Sequence, residues 1–202
     1  MLLKPAIEAT LEEATKLPIP KERQGTLQEL IGYIQKKKDT GEPVQLNFIC
    51  THNSRRSQFA QIWAQTIACK VGLDILSYSG GVEVTAFNER AIAAIERAGF
   101  RVMKEEGANP EVKVMFSDEA SAIIAFSKIY DDPTNPDRGF AAIMTCSHAD
   151  ENCPFIPGAE ARIPLNYEDP KEYDGTGEEA KKYDERSLQI ASEMIYVFSK
   201  VT

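Results

Sequence analysis

A cysteine and an arginine stand six positions apart in the stretch FICTHNSRRSQFAQ, residues 48–61. An apolar run ends abruptly at Cys50, polar residues follow, and an apolar-periodic stretch begins after Arg56. A cysteine thiolate is a nucleophile, and a guanidinium group binds a tetrahedral oxyanion through two parallel hydrogen bonds. Ser57, the next residue, is suited to donate a hydrogen bond to the thiolate or to cap the following helix. The C-x5-R-S spacing therefore predicts an oxyanion-binding loop that carries its own nucleophile.

The elements on either side of this loop are the ones that such chemistry requires. VQLNFIC before the loop is typical of a buried parallel strand, and SQFAQIWAQTIACKVG after it is typical of a helix. Ligands of an open parallel sheet bind beyond the carboxyl ends of its strands. The free N–H groups and the dipole of the helix N-terminus attract an anion there, and the same field favours the thiolate form of Cys50. The alternative is a buried cysteine at a strand end with surface arginines on a helix.

A second apolar strand, FAAIMTC, also ends at a cysteine, Cys146, and Cys153 follows after six residues. Thiol exchange requires sulfurs that approach within bonding distance, and a six-residue spacer is short enough to close and long enough to rearrange. Metal binding fits poorly, because this spacing is too wide for a C-x2-4-C site and the chain has only two histidines. The alternative is a pair of ordinary buried cysteines.

The order of predicted elements indicates an α/β protein with a parallel sheet and helices on both faces, because strand and helix patterns alternate after residue 43. Residues 1–43 are instead charged and helical in pattern, which predicts a helical extension packed on an α/β domain at 44–202.

Composition narrows the possible partners. The chain has 202 residues, 43% of them apolar and 27% charged, as is usual for a soluble globular protein. Its formal net charge of −8 disfavours nucleic acid or an anionic membrane as a partner. No apolar run approaches the roughly 20 residues that span a bilayer, and glutamates interrupt the N-terminus where a signal peptide needs an apolar core. We expect a cytoplasmic protein; its oligomeric state is not predicted.

The loop sequence CTHNSRRSQFAQ resembles that of the low-molecular-weight protein tyrosine phosphatases and, more closely, that of the thioredoxin-coupled arsenate reductases. The resemblance extends over about residues 44–200. It implies a flavodoxin-like parallel sheet and a substrate that is arsenate or phosphate. The oxyanion-binding residues that it implies are Thr51, His52, Asn53, Ser54, Arg55, Arg56 and Ser57.

The resemblance gives the cysteine pair a role, because arsenate reductases of this kind carry a C-x6-C-P motif after the corresponding strand. Cys50 would attack arsenate, and Cys146 would then attack Cys50, releasing arsenite and leaving a disulfide. Cys153 would take over the disulfide with Cys146, and thioredoxin would reduce it. This relay needs thioredoxin as an external reductant and no bound cofactor.

The resemblance also implies a general acid in an Asp-Pro motif ahead of the last helix, which is Asp169 in NYEDPKEYDG. A carboxylic acid near the anion would give its proton to the leaving oxygen. A rival pair, Asp131 and Asp132 ahead of Pro133, precedes the late strand, so it fits the family order poorly and is typical of a solvated turn.

Several positions depart from the family pattern. His52 replaces the usual glycine, so either that position tolerates a side chain or the loop is shaped differently. Arg55 replaces a second loop cysteine and would add charge near the pocket or point to solvent. Gln61 stands where some arsenate reductases have a glutamate that helps to bind potassium, which makes a potassium site doubtful. The segment 109–138 is longer than the family core requires and contains two additional apolar runs.

Two other functions remain open on the sequence. A phosphatase would need only Cys50, Arg56 and Asp169, and Tyr167 and Tyr173 beside the acid would frame a phosphotyrosine. A non-catalytic module that binds oxyanions is the other alternative, against which the complete set of cysteine, arginine and aspartate argues.

Overall fold

The structure, a computed structural model, describes residues 2–152 and 155–202. Within these residues the strands are β1 Val44–Cys50, β2 Ile75–Gly81, β3 Arg101–Lys104, β4 Val112–Met115, β5 Ile123–Ala125, β6 Phe140–Met144 and β7 Ala159–Pro164. The helices are α1 Pro5–Ala14, α2 Lys21–Thr40, α3 Arg56–Val71, α4 Glu89–Arg97, α5 Ser147–Asn152 and α6 Glu179–Ser199, with a 3-10 helix at Pro170–Tyr173.

Four strands form a parallel sheet in the order β2-β1-β6-β7. This arrangement confirms the predicted α/β fold. The carboxyl ends of the two central strands lie side by side, because Ile49 of β1 pairs with Met144 of β6. Cys50 and Cys146 therefore leave the sheet at the same edge. Strand β7 was not predicted, since its sequence AEARIP lacks an apolar run.

The segment 109–138 contributes a second sheet. Its two apolar runs form β4 and β5, which pair antiparallel with β3 in the order β3-β4-β5. From the sequence these runs could form either a strand or a helix, and their pairing outside the main sheet was not predicted. After β5 the chain returns to the end of β2. There Gly81 N–H donates to the Lys128 carbonyl, and Tyr130 N–H donates to the Gly81 carbonyl. The additional sheet thereby brings residues 127–130 to the edge of the parallel sheet at which Cys50 and Cys146 lie.

The two faces of the parallel sheet are covered unequally. On one face Phe48 and Ile143 are fully buried in the main core together with Phe59 of α3. On the other face Ala142 and Met144 pack in a smaller cluster with Ala149 of α5. Helices thus lie on both faces, but in the described ranges the only helix in the cluster on the second face is the six-residue α5 next to Cys146.

The N-terminal helices share the main core. Ile7 and Leu11 of α1 and Leu27 and Leu30 of α2 are buried in the same cluster as the sheet residues. Both helices contact α6, and α2 also contacts β7 and β1. Helices α1 and α2 therefore pack directly on the α/β domain. The division of the chain into an extension at 1–43 and a domain at 44–202 stays a prediction from the sequence.

Among the described residues, no helix combines the length and the apolar character needed to cross a bilayer.

Candidate active site

The loop between β1 and α3 places a hydroxyl against the thiol of Cys50. Ser57 Oγ lies 3.0 Å from Cys50 Sγ, and both side chains are buried. Asn53 Nδ2 donates to Ser57 Oγ at 2.8 Å, and the orientation of that amide is fixed because Asn53 Oδ1 accepts from Lys128 N–H at 3.0 Å. Since the Ser57 oxygen accepts from Asn53, its single hydrogen is available to the sulfur. This arrangement stabilises a thiolate.

The strained backbone of the loop is at Asn53. Its φ of 45° is the only positive value at a non-glycine residue in the described ranges. Asparagine tolerates this left-handed conformation better than most residues, and two side-chain hydrogen bonds hold it there. The strain anticipated at His52 is therefore absent: that position tolerates a side chain. The His52 ring is partly exposed, with Nε2 3.3 Å from Glu83 Oε2.

Gly81 at the end of β2 lets the loop approach closely. A Cβ at this glycine would lie 2.7 Å from Asn53 N and 2.9 Å from the Thr51 carbonyl oxygen. The same Thr51 carbonyl accepts hydrogen bonds from Val82 and Glu83 N–H, both at 2.8 Å. The glycine at this position thus allows β2 to hold the first turn of the loop.

The backbone of the loop offers donors to an anion. Within the described chain, the N–H groups of residues 52–57 donate no hydrogen bond to another protein group. The Arg56 Nε atom is also buried without a partner. Unpaired buried donors are costly unless something accepts from them. Successive free N–H groups at a helix N-terminus are the usual design of an oxyanion site.

Arg56 joins this loop to Asp169. Its Nη2 donates to Asp169 Oδ2 at 2.7 Å, and its Nη1 donates to the Tyr167 carbonyl at 3.0 Å. The arginine side chain is 12% exposed, so the ion pair is largely shielded from solvent. Asp169 Oδ1 also accepts from Lys171 N–H at 3.1 Å, which fixes the carboxyl at the start of the 3-10 helix. The structure therefore places Asp169 at the loop.

The rival acid lies in a turn. Asp132 Oδ1 accepts from the backbone and hydroxyl of Thr134, at 2.9 and 2.7 Å. Burial by itself would raise the pKa of Asp132, but these hydrogen bonds hold it below its ordinary value. Asp132 is thus held within its own turn, whereas Asp169 contacts Arg56 of the loop.

Arg55 and Ser54 turn their side chains away from the anion site. Arg55 Nε donates to Tyr183 OH at 2.8 Å, and its guanidinium lies 3.7 Å from Asp174. Ser54 Oγ donates to the Ala86 carbonyl at 2.7 Å. The backbone N–H groups of these residues remain available to an anion, so their part in binding the oxyanion stays a prediction that rests on the backbone. Arg55 neither adds charge to the pocket nor points to solvent.

Cys146 contacts the same loop. Its Sγ lies 3.4 Å from Thr51 Oγ1 and accepts from Ala149 N–H at 3.4 Å, and the residue is 2% exposed. Thr51 Oγ1 also lies 3.3 Å from His148 Nδ1. His148 is exposed, belongs to α5 and reaches the loop after β1 through this contact. Cys153 lies outside the described residues.

Tyr167 does not frame a substrate pocket. It is 4% exposed, and its hydroxyl donates to Glu193 Oε2 at 2.8 Å. Burial, with the neighbouring Glu193 carboxylate, raises the pKa of Tyr167 well above its ordinary value, so the phenol remains a donor. Tyr173 is 38% exposed, and Lys182 Nζ lies 5.2 Å from its ring centroid. The expected pair of tyrosines around a phosphotyrosine is therefore wrong.

Lys128 is a neighbour of the loop that sequence reasoning missed. Its backbone N–H holds Asn53, its side chain is buried, and its Nζ lies 4.4 Å from the Phe126 ring centroid. Burial lowers its pKa to about 8, although Asp132 and Glu111 favour the charged form. Only one signal was available in the sequence, a single lysine within the apolar run AIIAFSKIY.

Solved structures share the fold of this chain. A low-molecular-weight protein tyrosine phosphatase from T. tengcongensis superposes with a TM-score of 0.52 over 78% of this chain and 99% of its own, at 16% identity. An arsenate reductase in its phosphate-binding state gives a TM-score of 0.50 over 78% of this chain and 98% of its own, at 19% identity. At these identities the likeness concerns the fold, which these two kinds of enzyme share.

Sequence relatives are more specific, although no family model matches the chain. An arsenate reductase of Bacillus cereus is 31% identical, with 68% of this chain and 92% of the relative covered. An arsenate reductase of Staphylococcus saprophyticus is 32% identical over 123 residues, which are 61% of this chain and 76% of the relative. The chain belongs to the arsenate reductase family. The predicted resemblance and class of enzyme are thus confirmed.

Proposed function

We propose that this protein reduces arsenate to arsenite, with Cys50 as the nucleophile and thioredoxin as the reductant. One observation carries the proposal: the buried Cys50 thiol contacts Ser57 and precedes a loop whose N–H groups at residues 52–57 donate to no described protein group, and Thr51 of that loop contacts Cys146. Family membership supports arsenate as the substrate. Cys146 supports a reductase, because hydrolysis of a phosphate ester does not require a second cysteine.

In the first step the Cys50 thiolate attacks arsenate held by the loop N–H groups and by Arg56. A sulfur–arsenic bond forms and an arsenic–oxygen bond breaks. Asp169, which is held 2.7 Å from Arg56, gives the proton with which the departing oxygen leaves as water.

The second step reduces arsenic. The Cys146 thiolate attacks Cys50 Sγ, a sulfur–sulfur bond forms, and the electron pair of the breaking sulfur–arsenic bond stays on arsenic. Arsenic passes from the +5 to the +3 state and leaves as arsenite, while the two thiols are oxidised to a disulfide. Hydrogen-bond donors from Thr51 and from Ala149 N–H stabilise the attacking thiolate of Cys146.

The third step regenerates the nucleophile. The Cys153 thiolate attacks Cys146, which releases Cys50 as a thiolate and moves the disulfide to Cys146 and Cys153. The dithiol of thioredoxin then reduces that bond by two further exchanges. Six residues separate the two cysteines, a loop short enough to close at little entropic cost.

We propose that bound potassium plays no part. Gln61, at the position of the glutamate that some arsenate reductases use, supplies a neutral amide, and its Oε1 accepts from Ser79 Oγ at 2.6 Å. A neutral oxygen that is already hydrogen-bonded is a weak ligand for a hard cation. Rates in potassium and sodium buffers of equal ionic strength should therefore be equal.

A coupled assay tests the proposed relay. The reduced protein is mixed with arsenate, thioredoxin, thioredoxin reductase and NADPH, and the loss of NADPH is followed. Cys50→Ser, Cys146→Ser and Cys153→Ser should abolish steady-state turnover, whereas Cys69→Ser, a half-buried cysteine of α3, should not. Wild-type rates in Cys146→Ser and Cys153→Ser would exclude the relay. Cleavage of p-nitrophenyl phosphate without arsenate turnover would establish the phosphatase alternative.

A further inference from the structure

The strand-to-helix segment that carries Asp169 is tied to the N-terminal extension. Arg56 contacts this segment at two points, the Tyr167 carbonyl at 3.0 Å and Asp169 Oδ2 at 2.7 Å. The direction of the Arg56 guanidinium, and with it the unpartnered Nε, therefore depends on where the backbone of Tyr167 lies.

Tyr167 is itself held at both ends. Its backbone N–H donates to the Thr145 carbonyl at 3.1 Å, which fixes it to the end of β6. Its side chain is 4% exposed, and its hydroxyl donates to Glu193 Oε2 of α6 at 2.8 Å. The backbone hydrogen bond to Thr145 holds Tyr167 at one point. The side-chain hydrogen bond to Glu193 holds it at a second point, so the segment cannot rotate about the first.

Glu193 is a buried carboxylate that needs a cation. It is 3% exposed, and it accepts from Tyr167 OH, from Gln189 Nε2 and twice from Arg23 of α2. Both arginine hydrogen bonds are 2.9 Å long and lie side by side. An uncompensated carboxylate at this depth would take up a proton or move toward solvent.

Arg23 also touches the tyrosine directly. Its guanidinium carbon lies 4.6 Å from the centroid of the Tyr167 ring. The same arginine thus neutralises Glu193 and packs on the ring that Glu193 anchors. Lysine cannot reproduce both contacts, because it lacks the planar fork and the flat face of a guanidinium.

We infer that Arg23, in the N-terminal extension, is a positioning residue for the active site: through Glu193 and Tyr167 it fixes the segment that orients Arg56 and Asp169. This inference rests on the proposed oxyanion chemistry and assigns to α2 a role in it. A merely structural role would lower stability when Arg23 is removed but would leave the affinity for an oxyanion unchanged.

Inorganic phosphate binding, measured by calorimetry on the full chain, separates these two roles. Arg23→Met and Tyr167→Phe should each weaken phosphate binding about tenfold and reduce kcat/KM for arsenate about as much, since one hydrogen bond to a charged group is worth a factor of this order. Arg23→Lys should lie between wild type and Arg23→Met, because it restores the charge without the second hydrogen bond.

A matched control comes from another arginine that pairs with α6. Arg97 of α4 holds Asp184 at 2.7 Å, far along α6 from Glu193 and without contact to the Tyr167 segment. Arg97→Met should lower the unfolding midpoint but leave phosphate affinity within about twofold of wild type, because it removes an ion pair remote from the loop.

The outcomes distinguish this inference from the proposed function. If Arg23→Met and Tyr167→Phe bind phosphate as wild type does, the inference is overturned. If Arg23→Met fails to fold, Tyr167→Phe decides alone, since it deletes a single hydroxyl. If the wild-type chain binds phosphate but never turns over arsenate, the proposed function fails, and the loss of phosphate affinity in the variants still supports the positioning role.

Discussion

Thr51 Oγ1 lies 3.4 Å from Cys146 Sγ, so the residue directly after the nucleophile touches the second cysteine. The contact arises because β1 and β6 are neighbours in the sheet and end together. The proposed exchange between Cys50 and Cys146 would therefore take place between residues at two adjacent strand ends.

This contact predicts a specific kinetic defect. Thr51→Val should slow arsenite release by roughly 10- to 100-fold, because the attacking thiolate loses a hydrogen bond of roughly 1.5–3 kcal/mol, while formation of the arsenic adduct on Cys50 is unaffected. Single-turnover quenching followed by mass spectrometry separates the two steps. Thr10→Val in α1, which also removes a threonine hydroxyl, serves as the control. Equal slowing of both steps would contradict the assignment.

The Ser57 hydroxyl predicts the reactivity of Cys50. Ser57→Ala removes the donor that lies 3.0 Å from the sulfur. We expect alkylation of Cys50 by iodoacetamide at neutral pH to fall about tenfold, since a thiolate stabilised by fewer hydrogen bonds forms less readily.

Peptide mass spectrometry assigns that alkylation to Cys50 rather than to Cys69 or Cys146. Ser199→Ala, at the far end of α6, is the control. An unchanged rate in Ser57→Ala would mean that the loop N–H groups alone stabilise the thiolate.

Asp169 should contribute to chemistry more than to binding. Asp169→Asn keeps a hydrogen-bond acceptor for Arg56 but has no acidic proton, so kcat for arsenate should fall by roughly 10²–10⁴. Phosphate affinity should change much less. Asp132→Asn, which alters the rival acid in its turn, should leave kcat at the wild-type value. The reverse ranking of these two variants would transfer the acid role to Asp132.

Lys128 should make stability depend on pH in an unusual direction. Burial lowers its pKa from 10.5 to about 8. Between these values the unfolded chain binds the proton and the folded chain does not, so the contribution of Lys128 to stability rises with pH above about 8 and is least favourable at neutral pH.

Lys128→Met should therefore raise the free energy of unfolding at pH 7 by on the order of 1–3 kcal/mol. This gain should shrink as the pH approaches 10.5, the ordinary pKa of a lysine amine. Urea denaturation of wild type and variant at several pH values measures the difference. The backbone hydrogen bond from Lys128 to Asn53 does not depend on the side chain, so the loop should stay intact. A constant difference at all pH values would contradict the assignment.

Much of the fold and part of the site were predictable from sequence alone. Strand β1, the following loop and α3 were predicted within one or two residues, because apolar periodicity and the glycine after Val71 are local signals. Strands β3 and β7 were missed, since neither RVMK nor AEARIP contains an extended apolar run. The pairing of β4 and β5 in a separate sheet depends on contacts that no single segment encodes.

The sequence by itself determined the chemistry at the strand end, with Cys50 six positions before Arg56 and a second cysteine after a later strand. Only the tertiary structure decided where the side chains of two adjacent arginines point. Arg55 meets Tyr183, 128 residues away, and Arg56 meets Asp169, 113 residues away. The roles of Tyr167 and Arg23 were likewise invisible in the sequence. Spacing along the chain fixes which groups a loop can present, whereas the direction of a long side chain depends on partners that the fold brings from distant positions.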